Sequence, residues 1–134
     1  MDFALLFLRV LTMLVFVSSG WGHASKSEER AKDIGFSPAF TKLLGVVELL
    51  AGLGVGFGVL PHLSAAGLMI VMLGAMHRKA FVWKSGFWGK GSQGWHYDLI
   101  FFAINLLMLG SGGGRWTAAR LLTYFTPLRW LLNL

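Results

Sequence analysis

The chain has 134 residues, of which 55% are hydrophobic and 13% are charged, and its mean hydropathy is +0.64. A soluble domain of this size would expose far too much apolar surface, so the composition indicates a membrane protein. Cysteine is absent, which excludes disulfides, thiolate nucleophiles, thiolate metal ligands and iron–sulfur clusters. Anionic lipid headgroups account for the net charge of +6, and no nucleic-acid-binding pattern accompanies it.

Four apolar segments follow one another, each close to the ~20 residues that a helix needs to cross ~30 Å of hydrocarbon. They cover roughly residues 3–21, 38–60, 63–82 and 97–112. Pro61 and His62 join the second segment to the third almost directly, so these two must be antiparallel neighbours. The pattern predicts an all-α fold, a four-transmembrane-helix antiparallel bundle formed by residues 1–114 as one domain.

The first segment has an alternative interpretation as a cleaved signal peptide, because small residues follow its apolar core. Its leading end carries Asp2 and a single basic residue, Arg9. A signal peptide has a positive cluster there, so a retained membrane span is the favoured interpretation.

Two further segments flank the spans. SKSEERAKDIGFS, after the first span, is polar with mixed charge signs, and we expect a solvated and partly helical loop. Residues 115–134 combine arginines with aromatic residues, which predicts a C-terminal amphipathic helix at the membrane interface, interrupted at Pro127.

Charge placement predicts the orientation, since Lys and Arg accumulate on the cytoplasmic face. The first and third loops hold Lys26, Arg30, Lys32, Lys42, Arg78, Lys79, Lys84 and Lys90. The opposite face holds Arg115, Arg120 and Arg129. This asymmetry predicts that loops one and three are cytoplasmic and that both termini are on the other side.

Glu48 is the single charged residue between residues 43 and 61. Carboxylates inside a membrane are costly and usually face a protein interior or cavity, so this residue is a candidate functional site. Counting 1.5 Å per residue places Thr12, Glu48 and Asn105 at about the same depth. Arg9 is then close enough either to reach Glu48 or to extend to the outer interface. These four residues form a predicted intramembrane polar cluster, a candidate quinone or lipid site.

Gly45, Gly52 and Gly56 share a helix face with Glu48. Small residues at this spacing allow close helix packing in lipid, which is the role we predict for them. The alternative is that they leave a slot beside Glu48 for a flat ring or a lipid tail.

Three histidines, His23, His77 and His96, cluster with Asp98 near the face of the first and third loops. They are candidates for an interfacial proton relay, and hydrogen bonding to loops is the simpler alternative. No metal site is predicted, because no local ligand pair such as HxxxH is present.

Three stretches of the chain resemble DoxX-type membrane proteins. They are LLFLRVLTMLVFVSSGWGHASK, LLGVVELLAGLGVGFGVLPHLSAAGLMIVMLGA and GWHYDLIFFAINLLMLGSGGGRW, in the order and spacing of that family. The last span opens with HYDL where the family often has a glutamate or a tyrosine–proline pair. The resemblance implies a four-helix protein of the bacterial inner membrane, found alongside respiratory or other redox complexes, with Arg9 and Glu48 as its positions of interest.

Three functions are compatible with the sequence. The first is an accessory subunit that packs against a larger membrane redox complex, stabilises it and helps form a quinone or lipid pocket. The second is a small quinone-binding oxidoreductase component that uses Glu48 and Arg9. The third is an assembly factor for other membrane proteins. The absence of cysteine, cofactor motifs and metal-ligand spacing favours a non-enzymatic role. Expected partners are the lipid bilayer and other membrane subunits or further copies of the chain.

Overall fold

The computed structural model describes residues 1–89, 94–123, 129–132 and 134. Within them the fold is entirely helical, as predicted. The elements in chain order are α1 Asp2–Ser25, α2 Ser27–Ile34, α3 Pro38–Phe57, α4 Pro61–His77, a π-helical turn Arg78–Val82, α5 His96–Ser111, α6 Ala118–Leu122 and α7 Arg129–Leu132.

Three of the described helices are long and apolar enough to cross a membrane. They are α1, α3, and α4 with its π-helical continuation to Val82. The fourth apolar segment forms the shorter helix α5, with 16 residues. Each predicted segment therefore contains a helix, with ends displaced by at most four residues.

Local sequence signals set the ends of α3. Ser37 caps its start by accepting a hydrogen bond from the Phe40 backbone N–H at 3.2 Å, and Pro38 occupies the first turn, where no intrahelical donor is lost. Gly58 ends the helix with a φ of 69°. A left-handed residue at this position favours glycine, which has no Cβ to clash. The predicted end at residue 60 was therefore too late, because Gly58 turns the chain.

Contacts between helix ends show that sequential apolar helices are antiparallel. His62, at the start of α4, hydrogen-bonds through Nδ1 to the Leu109 carbonyl near the end of α5. Lys79, after α4, contacts Asp98 in the first turn of α5. Arg9, near the start of α1, reaches the carbonyls at the end of α3. The bundle thus has an α2 end, which holds α2 and Asp98, and a glycine-turn end, which holds Gly58.

Three of the glycines of α3 lie against α1. A Cβ added to Gly45 would lie 2.6 Å from the Gly20 carbonyl oxygen, and one added to Gly52 would lie 3.0 Å from the Phe16 Cβ. At Gly56 the nearest side chain is that of Met13. The α1 and α3 backbones are therefore close enough that side chains at these positions would collide.

The apolar core lies between the four apolar helices, with an edge-to-face contact of Phe16 on α1 and Phe101 on α5 at 5.5 Å between ring centroids. Large apolar side chains also cover the outside, including Leu63, which is 62% exposed, and Leu50, which is 63% exposed. Such a surface suits contact with lipid chains rather than water.

The two flanking segments are helical where the structure describes them. The polar loop contains α2, which ends at Gly35 with a left-handed φ of 71°. The C-terminal segment contains α6, capped by the Thr117 hydroxyl, and α7. Pro127, the predicted interruption, and Lys90 of the third loop lie outside the described residues.

Candidate functional site

A cavity of about 960 Å³ opens between the helices toward the α2 end. Side chains of α1, α2, α3, α4, the π-helical turn and α5 all contribute to its lining. Most of them are apolar, among them Leu14, Val15, Ile70 and Val71. This volume is in the range of pockets that hold a small organic ligand.

Glu48 forms part of the cavity wall and is paired with His23. The His23 Nδ1 lies 3.0 Å from Glu48 Oε2, and the Glu48 side chain is buried with 5% exposure. The pairing follows from the helix packing, because Gly20 and Gly45 bring the last turns of α1 close to α3. A costly intramembrane carboxyl thus has a hydrogen-bond partner at the cavity surface.

A second pair, Lys79 and Asp98, lies on the other side of the cavity. Lys79 Nζ is 2.8 Å from Asp98 Oδ2, and both side chains are largely buried. Opposite charges at this separation attract each other even where the hydrogen-bond angle is poor. The π-helical turn after α4 carries Lys79, so the local change in helix geometry sets where this cation lies.

Two arginines also line the cavity. Arg78 donates through Nη2 to the Ile34 carbonyl, and its guanidinium lies 4.5 Å from the Phe36 ring centroid. Arg30, on α2, is exposed. Neither guanidinium is paired with a carboxylate of the described residues.

Arg9 lies at the other end of the bundle and does not line the cavity. It is buried with 2% exposure. Its guanidinium donates to the carbonyls of Val55 at 2.9 Å, Gly56 at 2.7 Å, Gly113 at 3.3 Å and Trp116 at 2.6 Å. It therefore joins α1 to the end of α3 and to the glycine-rich turn after α5.

The Arg9 side chain thus occupies neither of the two positions that the sequence predicts for it. The guanidinium neither pairs with Glu48 nor extends outward. The physical reason is that the last carbonyls of a helix lack intrahelical donors and carry partial negative charge, so they attract a cation as a carboxylate would. Glu48 lies seven residues before Val55, about 10 Å further along α3.

Thr12 and Asn105 are fully buried, on α1 and α5 respectively. The Asn105 amide nitrogen donates to the Phe101 carbonyl of its own helix at 2.8 Å. The Thr12 hydroxyl and the Asn105 amide oxygen have no hydrogen-bond partner among the described residues. No hydrogen bond joins any two of Arg9, Thr12, Glu48 and Asn105 in the described part of the chain.

The four residues of the predicted relay are likewise not joined to each other by hydrogen bonds. His23 binds Glu48, and Asp98 binds Lys79. His96 binds the Phe87 carbonyl through Nδ1 at 2.7 Å, and the His77 ring packs on Phe81. Within the described part of the chain, no group of three His, Asp or Glu side chains could hold a metal ion.

Sequence reasoning missed the roles of Lys79, Arg78 and Arg30 at the cavity. One signal was present, since Asp98 opens an apolar segment and a buried carboxylate needs a cation nearby. Lys79 ends the preceding apolar segment on the same face of the predicted bundle. The same principle would have paired His23 with Glu48.

Comparison with known proteins agrees with the resemblance in the sequence. The model of the DoxX-like family matches residues 7–111. An uncharacterized membrane protein of Mycobacterium tuberculosis is 32% identical over 130 residues, covering 87% of this chain and 79% of that protein. No solved structure matches the chain. The match spans the four apolar helices except the first residues of α1, and it includes every residue that lines the cavity; the chain belongs to the DoxX-like family.

Proposed function

We propose that this protein is an accessory membrane subunit that holds a quinone- or lipid-like amphiphile in the cavity at the α2 end. The observation that carries the proposal is the cavity itself, about 960 Å³ with apolar walls, the hydrogen-bonded pair His23–Glu48 and the largely buried ion pair Lys79–Asp98. Apolar walls suit a hydrocarbon tail or ring, and a few placed polar groups fix the orientation of a headgroup. The partner we propose is a larger membrane redox complex, which follows from the family resemblance.

The proposal includes four membrane spans. The 16 residues of α5 extend about 24 Å, less than the ~30 Å of a bilayer core. Its two ends nevertheless contact the two ends of the α4 span, through Lys79 with Asp98 and through His62 with Leu109. A helix that is level with a spanning neighbour at both ends crosses the same layer.

The alternative of a quinone oxidoreductase that uses Glu48 and Arg9 together has less support. Glu48 lies about 10 Å along α3 from Val55, whose carbonyl Arg9 binds. All three guanidinium nitrogens of Arg9 also donate to backbone carbonyls. An accessory role needs the cavity but not a reacting pair of residues.

Retention of a bound amphiphile during purification tests the proposed function. Gly74 lines the cavity, and a Cβ added there meets nothing within 4 Å. We expect Gly74→Leu to fill part of the cavity without disturbing the fold, and to lose at least about tenfold of any ligand that the wild type retains, since a buried tail can no longer fit. The measurement is gentle-detergent purification followed by mass spectrometry of the bound small molecules and proteins.

Gly110→Leu is the matched control. Gly110 also has open space around its Cβ position, but it lines a shallow groove on the outside of α5. This variant should retain ligand as the wild type does. Equal retention by both variants, or a wild type that carries no amphiphile, would contradict the proposed binding site. Stoichiometric redox subunits in the same sample would support the accessory role, and their absence would contradict it.

We also propose that the α2 end faces the cytoplasm of a bacterial inner membrane. Since the chain has no cysteine, single cysteines report their own side without background labelling. Glu28 on α2 and Trp116 after α5 are exposed at opposite ends. We expect an impermeant maleimide to label Trp116→Cys in intact spheroplasts, and Glu28→Cys only after the membrane is opened. Labelling in the reverse order would show the opposite orientation.

A further inference from the structure

More side chains that can carry positive charge than carboxylates line the cavity. Two carboxylates line it, Glu48 and Asp98, and each already has a cationic or hydrogen-bonding partner of its own. The side chains that can carry positive charge are His23, Arg30, Arg78 and Lys79. His23 and Lys79 are used in the two pairs, so Arg30 and Arg78 are left with no carboxylate among the described residues.

The two guanidiniums lie at the α2 end, where loop one meets the apolar helices. Arg78 uses Nη2 for the Ile34 carbonyl, while its Nε has no hydrogen-bond partner among the residues that the structure describes. The Arg30 side chain makes no hydrogen bond or ion pair with the described residues. Both side chains therefore have donors to offer to a ligand.

The remainder of the cavity continues away from these arginines between α1 and α4. Leu14 and Val15 on α1 and Ile70 and Val71 on α4 line this part. Leu14 lies 16 residues before Arg30 in the chain. It also lies nine residues before His23 on α1, which is about 13 Å along the helix axis. The cavity thus has a cationic end and an apolar end, which is the polarity of a single-tailed amphiphile.

We propose that the ligand of this cavity carries an anionic headgroup, a carboxylate or a phosphate, bound by Arg30 and Arg78, with its acyl chain between α1 and α4. This inference rests on the proposed function, since it identifies the chemical class of the amphiphile. Guanidinium matches carboxylate and phosphate in geometry and forms two parallel hydrogen bonds with them. A neutral headgroup such as a quinone ring would leave both guanidiniums without a counter-charge.

Ligands with similar tails and different headgroups separate the contribution of the headgroup to binding from that of the tail. The probe is radiolabelled oleate bound to the protein in nanodiscs of zwitterionic lipid, and the competitors are oleyl alcohol, 1-oleoyl lysophosphatidate and monoolein. We expect oleate to bind at least about tenfold more tightly than oleyl alcohol, the effect of one charge-assisted hydrogen bond. Comparison of oleate with lysophosphatidate then shows whether carboxylate or phosphate is preferred.

Variants assign that preference to the arginines. In the double variant Arg30→Gln, Arg78→Gln the preference for oleate over oleyl alcohol should fall to about twofold or less. Arg78→Lys keeps the positive charge and should keep most of the preference. That result would show that the loss of positive charge lowers the preference, and not a loss of folding caused by substitution at this position. Arg120→Gln, on α6 and outside the cavity lining, should leave both affinities unchanged.

The outcomes distinguish this inference from the function on which it rests. If oleate and oleyl alcohol bind equally, and Gly74→Leu weakens both, the cavity binds amphiphiles but the anionic headgroup is wrong. A preference for oleate that persists in the double variant also overturns the assignment to Arg30 and Arg78. If neither ligand binds, the proposed function fails together with the inference.

Discussion

Arg9→Gln is expected to lower the free energy of unfolding by about 3–5 kcal/mol, because several buried carbonyls lose their donor at about 1–3 kcal/mol each. The Arg9 guanidinium donates to four carbonyl oxygens, of Val55, Gly56, Gly113 and Trp116. A glutamine side chain is shorter and carries two donors in place of five. It cannot span from the end of α3 to the turn after α5.

The geometry around Arg9 indicates what fails first. Gly58 ends α3 beside Arg9, and its carbonyl accepts a hydrogen bond from the Ala119 backbone N–H at 3.1 Å. Loss of Arg9 should therefore loosen the glycine-turn end, including the start of α6, before the α2 end. Arg9→Lys keeps the charge but not the fork of donors, so its effect should be intermediate.

The measurement is reversible unfolding in mixed micelles, followed by circular dichroism. Arg115→Gln is the matched control, since Arg115 is exposed and its side chain makes no hydrogen bond in the described structure. We expect that control to stay within about 0.5 kcal/mol of the wild type. An Arg9→Gln protein as stable as the control would show that these carbonyls are satisfied in another way.

The helices were predictable from the sequence because apolar length is a property of each segment alone. The ends of α3 and α5 follow from Ser37, Gly58 and Gly112, which act locally. The π-helical turn at Arg78–Val82 was not predicted. It carries Lys79, whose partner Asp98 the chain brings near only after folding.

The depth of a polar residue along its helix does not predict which residue it contacts. Depth along a helix was counted from sequence, but the direction of a side chain around the helix depends on which neighbour it meets. Glu48 meets the last turns of α1, so its partner is His23 rather than Arg9. Arg9 was expected to need an acid, whereas free helix-end carbonyls supply the same electrostatic complement.

The packing at Gly45 connects the fold to the cavity. Gly45 faces Gly20, and an added Cβ at either position would lie 2.6 Å from the backbone oxygen of the other. Backbone atoms cannot move aside as a flexible side chain can. The same contact places His23 beside Glu48, so the α1–α3 distance determines both the stability of the bundle and one wall of the cavity.

We therefore expect Gly45→Val to cost at least about 3 kcal/mol, the upper end of the usual penalty for overpacking. Gly74→Val is the matched control, because a Cβ at Gly74 meets nothing within 4 Å and glycine is itself the poorer helix former. Unfolding in mixed micelles measures both variants. Gly45→Val should in addition separate His23 from Glu48, so any folded fraction should bind amphiphile more weakly than the wild type. A variant that lost stability but kept full binding would show that the cavity wall does not depend on the close approach of α1 and α3.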